Sequence, residues 1–259
     1  MFMDSPLHPG ARAHRAARAG HGFSLVEVLV VIGVIGLLVA LLLPALAGVR
    51  ARARGTQSLV NLRTVYQVVD HYQAENRDCY PVSEPGQFYP YPCSEVLISF
   101  DYWAMNTCWP AVVADVAPWR EFGRSFLSPG ARRDLDADGG TCGWPTSYEY
   151  SRTFIARPET WREGATADPS FLAGVFSHDV RFPSKKTLAW DSEMPYLHRE
   201  VARKGPDIAE PAPMLFADSH ARPATPSQAT APRPNPFLPS SGDPQRLHNT
   251  ADGVRGWDY

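Results

Sequence analysis

The 259-residue chain has little charge imbalance and few cysteines. It also lacks the common catalytic signatures. Lys and Arg total 25 against 27 Asp and Glu, a net charge of -2. No basic excess exists to hold a phosphate backbone, so composition gives no sign of a nucleic-acid partner. The four cysteines, Cys79, Cys93, Cys108 and Cys142, form no CxxC pair, which disfavours a zinc knuckle. The sequence contains no GxSxG elbow, no HExxH, no Walker loop and no GxGxxG. It therefore lacks the usual marks of a serine hydrolase, a zinc peptidase, a P-loop NTPase or a dinucleotide-binding enzyme. Proline, by contrast, is frequent, with 25 residues concentrated late in the chain. That favours loops and an irregular tail over a compact helical body.

Long apolar runs are also scarce: there is one, over residues 23–49. It holds 27 residues, of which 18 are Leu, Ile, Val or Phe and one, Glu27, is charged. About 20 apolar residues span a bilayer core. At roughly 0.3–0.6 kcal/mol each, these side chains contribute about 5–11 kcal/mol of insertion free energy. A carboxylate at the centre would cost about 2.5–3.5 kcal/mol, and Glu27 lies near one end, where it costs less. The run inserts despite Glu27. Three readings fit it. One is a plain membrane anchor. Another is a secretory signal peptide, with Arg12, Arg15 and Arg18 as the basic region and Ala45-Leu46-Ala47 as the cleavage site. The third is a prepilin signal whose helix stays in the mature protein.

The residues Gly22-Phe23-Ser24-Leu25-Val26-Glu27 resemble the prepilin signal of type IV pilins and type II secretion pseudopilins. The resemblance implies cleavage between Gly22 and Phe23 by a prepilin peptidase, followed by methylation of the Phe23 amine. It gives Glu27 a role in assembly, as a carboxylate facing the free amine of a neighbouring Phe23. Pro44 matches the stem proline of the family. A buried pair of this kind penalises wrong axial register, as a buried polar residue does in a coiled coil. The implied partners are the peptidase, other pilins or pseudopilins, an inner-membrane assembly platform and membrane lipid. The implied cofactor is calcium, which major pseudopilins bind in a head loop. The flanking arginines Arg12, Arg15 and Arg18, then Arg50, Arg52 and Arg54, leave the positive-inside bias balanced. All four cysteines follow the run, which fits an oxidising compartment with up to two disulfides. Cysteine placement and the resemblance put the C-terminal body in the periplasm or outside the cell, on a single-pass anchor in the inner membrane. Four cysteines allow three pairings; Cys79–Cys93 with Cys108–Cys142 closes the shortest loops.

The expected fold class is α+β. Beyond the run, Leu59, Leu62, Val65, Tyr66, Val69 and Tyr72 recur at helical spacing, with Arg63, Gln67, Asp70 and Gln73 on other faces. This predicts one stem helix from about 23 to 78, ended before Pro81. Pro44, Gly48 and Gly55 are candidate bends in it. Strands are expected at 96–100, 171–176, 187–190 and 213–217, and a helix at 109–122, giving an antiparallel sheet across the stem. The domain reading is a cleaved leader at 1–22, an assembly helix at 23–49, an amphipathic stem at 50–79, a head at 80–221, a Pro-rich linker at 222–246 and a terminal segment at 247–259. That last segment either docks on the head or is disordered. The head more loosely resembles pseudopilin-like proteins of planctomycete type, through Phe126-Leu127-Ser128-Pro129, Thr146-Ser147-Tyr148 and Phe216-Ala217-Asp218-Ser219-His220. Ser219 stands where that pattern has glycine.

Two constellations in the head carry candidate chemistry. Asp134, Asp136 and Asp138, followed by Gly139, open like a calcium loop, with alternate carboxylates on a turning backbone. The twelfth position is Pro145, so the closing bidentate ligand is missing; a solvated acidic turn is the other reading. Asp191, Glu193, His198, Asp218 and His220 lie near the ends of two expected strands and would converge if those ends met. His178-Asp179 reads as a turn. The motifs together predict a non-enzymatic filament subunit. The other reading is an exported or anchored binding protein or enzyme that uses the apolar run for export alone.

Overall fold

The computed structural model describes residues 24–91, 96–131, 145–197, 210–239 and 245–259. It divides into two compact units, residues 1–47 and 48–259. The described part of the first unit is helical from Leu25 onward, and every side chain from Ser24 to Leu43 is exposed.

The helix α1 runs over Leu25–Glu75 and continues through position 44 and the glycines at 48 and 55. The expected bends therefore do not interrupt it. Its end is a Schellman arrangement. Arg77 takes the left-handed conformation (φ 55°) that glycine usually supplies. The Asp78 N–H then bonds back to the Gln73 carbonyl at 2.9 Å. Gln73 is buried, against expectation, because its side-chain amide donates to the Asp78 carbonyl at 3.3 Å and helps close the same turn.

In the second unit, α1 buries Leu62, Val65, Val68 and Val69. A four-stranded antiparallel sheet has the order β3–β4–β5–β6, with β3 at Tyr148–Tyr150, β4 at Thr187–Asp191, β5 at Ala212–Phe216 and β6 at Ala221–Ala224. β4 and β5 are buried at every position, as central strands covered on both faces are. Side chains alternate between faces. Ala189 and Leu215 join the core that holds Leu62, Val65, Val69 and Trp109. Trp190, Ala212, Met214 and Phe216 join a second core with Met194, Tyr196 and Leu247. A short hairpin pairs β1 (Tyr89–Pro90) with β2 (Leu97–Ile98). The α+β class, the long apolar helix and the antiparallel sheet hold.

Several local expectations do not. Residues 171–176 form no strand: Pro169–Phe171 is a 3-10 turn, and a lone bridge joins Cys79 to Phe176. The chain passes too close to α1's exit for a regular strand with side chains. A Cβ added to Gly174 would lie 2.5 Å from Cys79 Sγ. The helix expected at 109–122 is two, α2 at Met105–Val112 and α3 at Trp119–Phe122. Pro118 disfavours helix at the residue before it and starts α3 instead. Positions 222–224, expected as linker, belong to β6. The terminal segment packs against the head: Val254 and Asp258 are buried.

Candidate functional site

The first site is the start of α1. Ser24 precedes the first helical residue, and Glu27 stands three positions on. The Glu27 N–H donates to Ser24 Oγ at 3.2 Å, and the Ser24 N–H donates to Glu27 Oε2 at 2.9 Å. This reciprocal pair is a capping box, which satisfies two of the four N–H groups that a helix start leaves unpaired. Sequence reasoning gave Glu27 an intermolecular role and passed over Ser24. The S-x-x-E spacing was the available signal. Glu27 therefore has a local use within one chain, and its carboxylate remains exposed. Gly22 and Phe23 lie outside the described residues. Position 44 is helical.

After the cap, α1 presents apolar side chains to the outside all round. Leu25, Leu41 and Leu42 are among many exposed large hydrophobics before residue 47. An 18-residue window in α1 has mean hydropathy 3.0, and none of that window is buried. Among the described residues, this helix alone is long and apolar enough to cross a membrane.

The second arrangement fastens the stem to the head. Asp191, at the end of β4, is fully buried. Its Oδ2 accepts from Ser58 of α1 at 2.7 Å, from Ser128 at 2.7 Å and from the Tyr196 hydroxyl at 3.1 Å. Its Oδ1 accepts from the N–H groups of Glu193 at 3.2 Å and Met194 at 3.0 Å. Tyr148's hydroxyl lies 3.3 Å from Ser58 Oγ. Burial raises the Asp191 carboxyl above the usual range, and the donors oppose that rise without cancelling it. Among the described residues, no cationic side chain bonds to it. The arrangement is a polar tether between helix and sheet.

The expected convergence of Asp191 and Glu193 with Asp218 and His220 does not occur. β4 and β5 pair antiparallel, with Thr187 opposite Phe216, so Asp191 and Asp218 stand at opposite ends of the pair. Glu193 accepts from Ser147 at 2.7 Å. Asp218 bonds the His220 ring at 2.5 Å, and that ring stacks on Phe216 with centroids 4.3 Å apart. His198 lies outside the described residues. No group of three or more metal-binding side chains gathers among the described residues. Asp134, Asp136 and Asp138 lie outside them. His178 and Asp179 sit in a 3-10 turn over Ser177–Asp179, where the Asp179 carboxylate accepts from the Phe176 N–H at 3.1 Å. Cys79 and Cys108 are free thiols, each with its acidity weakened by burial. Cys93 and Cys142 lie outside the described residues.

A third arrangement was not foreseen. Lys186 is fully buried at the entry to β4. Its ammonium donates to Thr250 Oγ1 at 2.6 Å and to Asp258 Oδ1 at 3.3 Å. The Thr187 N–H donates to Asp258 Oδ2 at 2.8 Å. Burial pulls the Lys186 amine below its usual value, and Asp258 opposes this. Nearby, His248 bonds Glu149 at 2.8 Å, and burial holds the imidazole below its usual value. These pairs lock the terminal segment onto the sheet. Lys186, which follows Lys185 and precedes T-L-A-W, gives no sequence sign of this.

Among the described residues, the head offers buried polar ties around Asp191, Lys186 and His248. No curated protein and no solved structure matches the chain. Residues 18–43 match the family model described as the prokaryotic N-terminal methylation motif; the chain thus carries a type IV pilin- or pseudopilin-like prepilin signal, the mark of a precursor processed at its N-terminus.

Proposed function

We propose that this chain is a structural subunit of a type II secretion pseudopilus or a type IV pilus-like filament. Prepilin peptidase cuts it between Gly22 and Phe23, and the new Phe23 amine is methylated. The apolar half of α1 first anchors the precursor in the inner membrane, with the head on the periplasmic side. It then leaves lipid to pack among the stems of neighbouring subunits, driven by an assembly platform. The chain itself performs no catalysis.

One observation carries this reading: the methylation motif at 18–43 opens a helix whose side chains are exposed at every position from Leu25 to Leu43. A run of this kind needs an apolar surround, either lipid or other stems. Glu27 supports the second surround. Within one chain its carboxylate uses one oxygen on the Ser24 N–H. In a filament the other oxygen is available to the amine of a neighbouring Phe23, which offsets the cost of burying the charge.

The test is a pair of variants followed by immunoblot and by recovery of sheared filaments. Gly22→Ala is expected to leave an uncut precursor in the membrane. Glu27→Ala is expected to insert and be cut but to stay out of filaments. Normal trimming of the first variant, or wild-type incorporation of the second, contradicts the proposal.

A further inference from the structure

A groove of about 480 Å³ lies between the end of α1, the β1 hairpin and the exit of α2. Its wall includes the carboxylates Glu75, Glu84 and Asp115 and no lysine or arginine. All three carboxylates are exposed. Within the groove's lip, Phe88 is 62% exposed, and Leu97, paired with the lining residue Pro90, is 60% exposed. Phe88 is thus a large aromatic held outward beside three like charges. The patch combines an apolar knob with an anionic wall.

The same unit carries the complementary surface. Early in its part of α1, Arg50, Arg52 and Arg54 are exposed and make no ion pair with any described residue. Val49 and Val60 flank them, 61% and 46% exposed. Arg50 and Arg54, four positions apart, share one face of the helix, and these cations among apolar side chains match the anions around an apolar knob on the same chain. Within one molecule they stand apart, because the arginines and Glu75, which lines the groove, lie on a single continuous helix. About 35 Å of helix rise separates Arg52 from Glu75.

We propose that the acidic groove is the docking surface for a second copy of this chain, which inserts its Arg50–Arg54 stem segment there. The inference rests on the filament reading above and adds the contact that sets spacing. The interface is heterologous, groove to stem, so it repeats without closing and builds an open filament. Charge complementarity fixes which copy docks and at what height, and Phe88 provides the desolvated centre. Contacting copies are offset along the helix by about 35 Å.

The test uses the full-length chain made in its source cells with Phe88 replaced by a photoreactive phenylalanine. Illumination is expected to join the groove to the peptide containing Arg50–Arg54 of another copy. Glu84→Arg/Asp115→Arg is expected to lower that product about tenfold, and Arg50→Glu/Arg54→Glu to do the same. Placing all four changes in one chain restores it, which no folding defect would do. Precursor cutting is followed in every sample. Cut chains that give no homotypic product, or that join only a different protein, overturn the docking proposal and leave the filament reading standing. A chain that is never cut overturns both. Failure of the four-fold variant to restore the product also overturns the pairing.

Discussion

Asp191→Ala is the sharpest test of how stem and head are joined. Removing this carboxylate leaves three hydroxyls, from Ser58, Ser128 and Tyr196, and two backbone N–H groups without their acceptor. All lie in or beside the core, and water does not reach the fully buried site. A stranded buried donor costs about 1–3 kcal/mol. The Ser58 and Tyr148 hydroxyls stand close enough to satisfy each other in part. The expected loss is therefore about 3–5 kcal/mol, the range for breaking a buried network. For a unit of this size that lowers Tm by roughly 6–20 °C. The assay is thermal unfolding of the full-length chain in detergent, followed by near-ultraviolet circular dichroism. Asp191→Asn should lose far less, because the amide keeps the shape and the hydroxyls can reorient. The pH dependence has a definite sign. The folded-state pKa of Asp191 is raised by burial, so the native state holds this proton more tightly than the unfolded chain. Its contribution is full below the usual carboxylate range and declines as pH rises through the raised value. Asp191→Asn removes that decline. An alanine variant within about 1 kcal/mol of wild type would refute the tether.

Other outcomes follow from the same geometry. Ser24→Ala should weaken the start of α1 by about 1 kcal/mol, seen as faster amide exchange in the first turn and at the Glu27 N–H. Asp258→Ala should cost about 3–5 kcal/mol by leaving the Lys186 ammonium buried without its counter-charge, whereas Lys186→Met/Asp258→Leu should lie near wild type in chemical unfolding. His248 has a lowered folded-state value, so its contribution is present above the ordinary histidine value and is lost as pH falls through the lowered one. Stability measured against pH should show that acid-side loss, and His248→Gln should flatten it.

The parts of the fold that were legible in the sequence were those with long periodic signals. The apolar run and the stripe through Leu62, Val65 and Val69 marked α1 because each turn repeated the same instruction. β4 and β5 were legible as short continuous apolar segments. β3 escaped because Tyr148-Glu149-Tyr150 puts a charge between two aromatics, and Glu149 finds its partner in His248, far along the chain. β6 escaped because Arg222 and Pro223 resemble linker, and an edge strand tolerates both. Asp191 was singled out for metal or acid–base chemistry. Its type and position drew notice, but its role depends on Ser58 and Ser128, whose proximity only the tertiary structure creates. Ser24 was legible and was overlooked, since Glu27 looked already explained. Lys186 could not have been found, because nothing local announces that a lysine will be buried against the chain's penultimate residue.

The central claim is that the chain is cut after Gly22 and keeps α1 as its stem. Mass spectrometry of the mature N-terminus from the source cells tests it most directly. The account predicts a first residue of N-methylated Phe23, followed by Ser24 and Leu25. A mature chain that begins at Gly48, after Ala45-Leu46-Ala47, would discard the apolar helix and contradict the account.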